Sequence, residues 1–339
     1  MASYFPQPLI TNSQSLIPTL GALVALAIAL TTPSLAEEPG TTTTGGSGIW
    51  IDIYRGEPLR YTELLDDLTT ADVIFLGEYH ILQRHHAIQI KIVGDLAERG
   101  VALALGLEQM ESFQQAHLDR YNRGEIDFEQ LAAATDWANR WSNYRQYRPI
   151  VEAAHKAKIP MVALNARTES IRQVVRCGGV DHLPAAVRKD LPAEMSLRDP
   201  VYEKVLSLQM MVHAAATPQI LRPMIEAQIA RDEAMAQAIA AFMKSEPGPA
   251  RKIIVLCGAG HVAYGLGTAA RVQRRLPGTK ERIVLMSESG EVILTPQEKA
   301  QAREIEITHE QLREIKRPIA DYLCVKPSAE QPSRPLISR

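Results

Sequence analysis

Five unbroken apolar runs, each six to eight residues long, limit what this chain can become: "DVIFLG" (72–77), "VALALGLE" (101–108), "IPMVALN" (159–165), "KIIVLCG" (252–258) and "RIVLMS" (282–287). None alternates polar with apolar residues, so each reads as a strand covered on both faces, the usual state of a strand in a parallel sheet. Helical patterns fill the gaps, roughly 82–99, 111–121, 127–157, 200–213 and 222–244. "GEVIL" after "SESG" reads as an edge strand near 291–294. The stretch 176–248 is longer than a simple crossover and is expected to add a helical lobe. The expected fold is therefore α/β: a mostly parallel central sheet flanked by helices, with an additional helical lobe, over residues 50–325.

Two of these runs end alike. "VIFLGEYH" closes on His80 and "KIIVLCGAGH" on His261, each as Gly-x-x-His. In open α/β sheets ligands bind beyond the carboxyl ends of the strands, and both histidines follow such an end. Glu108 and Asn165 end two further runs. Glu78 and His80 lie two apart, so an extended backbone points both to one side. Glu78, His80, Glu108 and His261 form a set of two carboxylates and two imidazoles. It suits a divalent metal, or a general acid/base pair with Glu78 or Glu108 as catalytic carboxylate. Gly77, Gly258 and Gly260 allow tight turns and close backbone approach at this edge.

Nearby segments could serve the same edge. "HILQRHHAIQ" places His86 and Gln89 on one helix face and His85 on another. "DWANRWSNYRQYRP" (136–149) is dense in aromatics in a chain that is only 5% aromatic. At helical spacing it gives Trp137, Trp141, Tyr144 and Arg148 one stripe, and Arg140, Tyr144 and Tyr147 a neighbouring one. Either the stripe packs on the core or it forms a wall for a flat ligand, with arginines for carboxylates. Gln228, Arg231, Asp232 and Met235 share a face of a later helix, either as a polar set for the sheet edge or as an ordinary amphipathic surface.

The bulk properties exclude some functions. A net charge of −2 and a pI near 6.5 argue against general nucleic-acid binding. Cys177, Cys257 and Cys324 form no C-x-x-C or C-x-x-C-H, which rules out covalently attached c-type haem. They are expected as free thiols, with a Cys177–Cys324 bridge the alternative in an oxidising compartment. The first 36 residues hold no Asp, Glu, Lys or Arg, and Leu20 to Leu30 is an apolar run followed by Ser34-Leu35-Ala36. A run this short fits a secretory signal peptide over 1–36 rather than a membrane span, which needs about 20 residues. An uncleaved anchor is the alternative. Residues 37–49 read as a flexible leader and 326–339 as a disordered tail.

Several segments occur in an order that resembles the ChaN-like haem-binding proteins of the Tiki/erythromycin-esterase superfamily. They are "LGEYH…RHHAIQ", "LGLEQM", "YRPIVEAAHKAKIPMVALNAR", "QIARDEAMAQAI", "VLCGAGHVAYGLG" and the closing "IADYLCV". The likeness runs from about Ile51 to about Val325. It implies export to the periplasm or outer membrane, a role in haem or iron handling, and haem held at a homodimer interface by a tyrosine. Tyr144, Tyr147 and Tyr264 are the candidate ligands, with Arg148 beside them, and a haem-uptake receptor or transporter is the implied partner. The superfamily's enzymes instead use the positions of Glu78, His80, Glu108 and His261 as a metal-hydrolase centre. This chain lacks the lipid-attachment cysteine of the lipoprotein members, so a lipid anchor is not expected.

Overall fold

The computed structural model describes residues 48–213, 218–246, 248–287, 310 and 313–325. The five apolar runs become β3 (Val73–Glu78), β4 (Leu103–Glu111), β5 (Met161–Asn165), β6 (Lys252–Gly258) and β7 (Glu281–Ser287). Three shorter strands extend the sheet: β1 (Ile49–Asp52), β2 (Glu57–Leu59) and β8 (Tyr322–Val325). The order across the sheet is β2-β1-β8-β7-β3-β6-β4-β5. Pairing is parallel from β8 through β5, and β1 is antiparallel to both its neighbours. The strand expected near 291–294, the signal peptide, the leader up to residue 47 and the tail lie outside the described residues, whereas Ile49, placed in the leader, opens β1.

The continuous runs are apolar because both faces are covered. Ile74, Leu76, Leu105, Ile254 and Leu256 face one core. It is closed by α1 (Tyr61–Leu68), α2 (Gln83–Glu98), α3 (Gln115–Asn122), α4 (Phe128–Ala134), α5 (Trp137–Arg140) and α6 (Arg148–Lys156). Val73, Phe75, Ile253 and Val255 face the other. The segment read as a helical lobe contributes α8 (Ala185–Arg188), α9 (Pro200–His213) and α10 (Pro218–Lys244). Ile225, Ile229, Met235 and Ile239 of α10 join the second core, with α11 (Thr268–Arg275) beside them. A third, smaller cluster joins α10 to α7 (Thr168–Arg176).

The single helix expected over 127–157 is three pieces. Asp127 caps α4 by accepting from the Gln130 N–H at 2.8 Å, and α4 stops at Ala134. Asp136 then takes a left-handed conformation (φ 52°), which no helix can continue through. A 3-10 turn, Tyr144–Tyr147, leads into α6, where Pro149 occupies the first turn because the missing N–H costs nothing there. The aromatic stripe read at one helical period is therefore folded back on itself.

Candidate functional site

Parallel register brings the strand ends level. Glu78, the last residue of β3, lies opposite Gly258, the last of β6. Leu107 of β4 lies opposite Leu256, so Glu108 arrives at the same edge. There the Gly258 N–H donates to Glu108 Oε2 at 2.6 Å. A side chain at 258 would collide, since its Cβ would stand 2.9 Å from His80 Nε2. The glycine is what lets the edge close up.

Two imidazoles face each other across Glu108. His80 donates from Nδ1 to Glu78 Oε1 at 2.8 Å, and His261 from Nδ1 to Asp232 Oδ1 at 2.7 Å. The opposite nitrogens, His80 Nε2 and His261 Nε2, lie 3.7 and 3.3 Å from Glu108 Oε1. Each ring is thus oriented by its own carboxylate, and both point at one shared oxygen. Around them the partners are dense. Glu78 also accepts from the Tyr147 hydroxyl, from Gln89 at 2.7 Å and from Gln109 at 3.2 Å. Asp232 also accepts from the Tyr202 hydroxyl at 2.7 Å and Thr268 at 2.9 Å. Trp141 meets the His80 ring edge-on at 4.9 Å, and Asn143 donates to the His80 carbonyl at 2.5 Å.

Burial opposes charge on all three central groups and loses at each. For Glu108 the positive charges of His261 and His80 win, and its carboxyl drops to about 2. For His261 the carboxylates of Glu108 and Asp232 win, and its imidazolium persists to about 10. His80 is raised, burial notwithstanding, chiefly by Glu108 and then by Glu78. The site is an alternating chain of acids and imidazoles closed off from water, competent to hold and move protons.

The candidate residues separate into groups. Glu78, His80, Glu108 and His261 come together as expected, and Gln228 and Asp232 of α10 reach them. Gln228 Nε2 lies 3.0 Å from His261 Nδ1. Arg231 reaches Asn165 at 3.4 Å, while Met235 goes into the core. His86 packs on the Tyr147 ring at 4.4 Å and sits 3.4 Å from Glu78 Oε2; His85 instead accepts the Tyr79 N–H at 3.0 Å. Of the three tyrosines, Tyr147 joins the cluster. Burial first, then the Glu78 charge, push its phenol well above the ordinary value, so it stays protonated. Tyr144 is buried against Trp137 and Phe128, and Tyr264 lies in the second core with its phenol raised by burial to about 12. Arg148 is bound to Glu129 and Glu152 at 2.8 Å each, away from the cluster. All three cysteines are free thiols.

The sequence reading missed Gln109, Asn143, Tyr202 and Thr268 as partners. Only "EQME", polar at the end of an apolar run, hinted at Gln109. The metal expected at Glu78, His80, Glu108 and His261 finds no support: among the described residues no group of three or more His, Cys, Asp or Glu is arranged to hold an ion.

Residues 64–272 match the model of a family described as haem-binding uptake, Tiki superfamily, ChaN. The chain belongs to that family. Among solved structures, that of cofacial haem binding to ChaN of Campylobacter jejuni aligns with a TM-score of 0.60 at 20% identity, covering 82% of this chain and 96% of that one. At that identity the likeness is one of fold, and it extends the ChaN fold over most of this sequence. An erythromycin esterase variant in its open conformation aligns at a TM-score of 0.41 and 11% identity, over 70% of this chain and 77% of its own. No curated protein matches.

Proposed function

We propose that this protein is an exported haem-binding protein acting in haem or iron uptake and handling, with two copies holding haem between them. The family match over residues 64–272 is the observation that carries this reading. The uncharged, apolar stretch within residues 1–36 supports export to the periplasm or outer-membrane surface, with cleavage after Ala36. A haem-uptake receptor or transporter is the partner that such a carrier would serve.

Exposed Ile81 and Phe113 and the partly exposed Arg167, which follow the ends of β3, β4 and β5, suit an apolar disc with a carboxylate arm. When bound, haem iron would supply ligand exchange or electron transfer. This chain's part is to bind the disc, keep water from its face and hold the carboxylates. Tyr147 is the expected tyrosine nearest the edge, and its hydroxyl would have to leave Glu78 before it could bind iron. Titrating the mature chain with hemin should shift the Soret band saturably and at a defined stoichiometry. No saturable band in either oxidation state would rule the reading out.

One observation favours a second reading, a hydrolase. Two carboxylate-oriented imidazoles converging on Glu108 exceed what a carrier needs, and they are arranged as acid/base groups are. Elemental analysis of protein purified without added metal tests whether an ion takes part. If no metal binds, and His261→Ala leaves both stability and hemin binding unchanged, this reading loses its support.

A further inference from the structure

Two large apolar side chains stand in water at the edge that carries the Glu–His cluster. Ile81, next after His80, is 47% exposed, and Phe113, just past the end of β4, is 44% exposed. The residues between them link the two positions along the chain. Trp141 lies against the His80 ring, and the next residue back, Arg140, places its guanidinium 5.0 Å from the centre of the Phe113 ring. Arg167, just beyond β5, covers the same ring at 4.1 Å. Ile81 and Arg167 follow strands three places apart in the sheet, roughly 14 Å at the usual inter-strand spacing. That breadth suits a porphyrin with its substituents.

The two arginines differ in what they have left to give. Arg140 is held by Glu111 at 2.9 and 3.0 Å and by Glu169 at 3.0 and 3.2 Å, so its charge is answered within the protein. Arg167 lies 3.7 Å from Asp190, outside hydrogen-bond range, with 40% of its side chain exposed. A guanidinium stacked on an aromatic ring keeps its in-plane N–H fork available to a carboxylate.

We propose that these residues form one strip on which haem docks, its apolar face against Ile81, Trp141 and Phe113 and one propionate on Arg167, with Arg140 fixing the Phe113 ring. This rests on the haem-binding reading and adds where, and through which groups, the ligand is held. It moves the contact surface away from Arg148 and the buried tyrosines to the ends of β3, β4 and β5.

Paired ligands test the two kinds of contact separately. Wild type, Phe113→Ala and Arg167→Ala are titrated with hemin, followed by the Soret band, and with protoporphyrin IX dimethyl ester, followed by fluorescence; the ester lacks the propionate charges. Thermal melts confirm folding, and both side chains are exposed enough for truncation to spare the core. Phe113→Ala should weaken both ligands about tenfold through lost apolar contact. Arg167→Ala should weaken hemin about tenfold and leave the ester unchanged, since only the charge-assisted bond is removed. Wild-type hemin affinity in both variants would overturn the strip while leaving haem binding intact. Equal loss of both ligands in Arg167→Ala would overturn the propionate assignment. Failure of wild type to bind hemin would overturn the haem reading itself and this inference with it.

Discussion

At the scale of single residues, the site is governed by which groups share a proton. His261 holds its proton to about 10 in the folded protein against an ordinary 6.5, and Glu108 loses its own at about 2 against an ordinary 4.5. A raised histidine stabilises the fold fully below 6.5, and that contribution drains away as pH climbs toward about 10. A lowered carboxyl does the reverse: its contribution is whole above 4.5 and is lost as pH falls through about 2. Both therefore act in full between 4.5 and 6.5. Thermal melts followed by circular dichroism should show the wild-type midpoint falling from pH 6.5 to 10, with His261→Gln lower throughout but flatter across that window. Parallel profiles would show that the buried imidazolium contributes nothing. Glu78, His80, Glu108 and His261 were legible in the sequence because each follows the end of an apolar run, and Asp232 because helical spacing put it beside Gln228. Tyr202 was not. Its hydroxyl finds Asp232 only through the packing of α9 on α10, which no local period encodes.

At the scale of elements, legibility followed length and continuity. The five buried strands were read correctly because apolar runs covered on both faces have few other uses. β1, β2 and β8 were missed because three or four residues are too few to show a period. The aromatic segment failed for a different reason: its spacing is helical, but Asp136 breaks the backbone in the middle. The close approach of β3, β4 and β6 at their carboxyl ends is an element-level property with its own test. Gly258→Ala places a methyl 2.9 Å from His80 Nε2 and 3.7 Å from Glu108 Oε2, so those side chains must move. Urea denaturation should show a loss of about 1–3 kcal/mol, the usual cost of overpacking. Gly94, exposed within α2, is the comparison. Its added Cβ meets nothing within 4 Å, and Gly94→Ala should instead gain about 0.5–1 kcal/mol from the better helix former. If both substitutions act alike, the crowding at the sheet edge is not what fixes Gly258.

At the scale of the whole molecule, the question is how an open edge covers a ligand with two broad apolar faces. In the docking proposed above, Ile81, Trp141 and Phe113 meet one face of the disc. The other aromatics of the 136–149 segment, Trp137, Tyr144 and Tyr147, are buried in this chain's own core and have no surface to offer. One protomer alone would leave the second haem face wet. A second copy related by a two-fold axis brings the same patch to that side, and self-complementary pairing of this kind is the commonest form of soluble oligomer. Haem should then drive homodimerisation across the surface that runs from Trp141 to Arg148, next to the strip. Because apolar area is buried only when ligand is present, the free protein should remain largely monomeric at the same concentration. Light scattering coupled to size exclusion, run with and without hemin, measures this directly. The mass should double on saturation, and Phe113→Ala should need more hemin to reach the same dimer fraction. A monomer at saturating hemin would mean that one chain closes over both faces, and the two-copy arrangement would have to be abandoned.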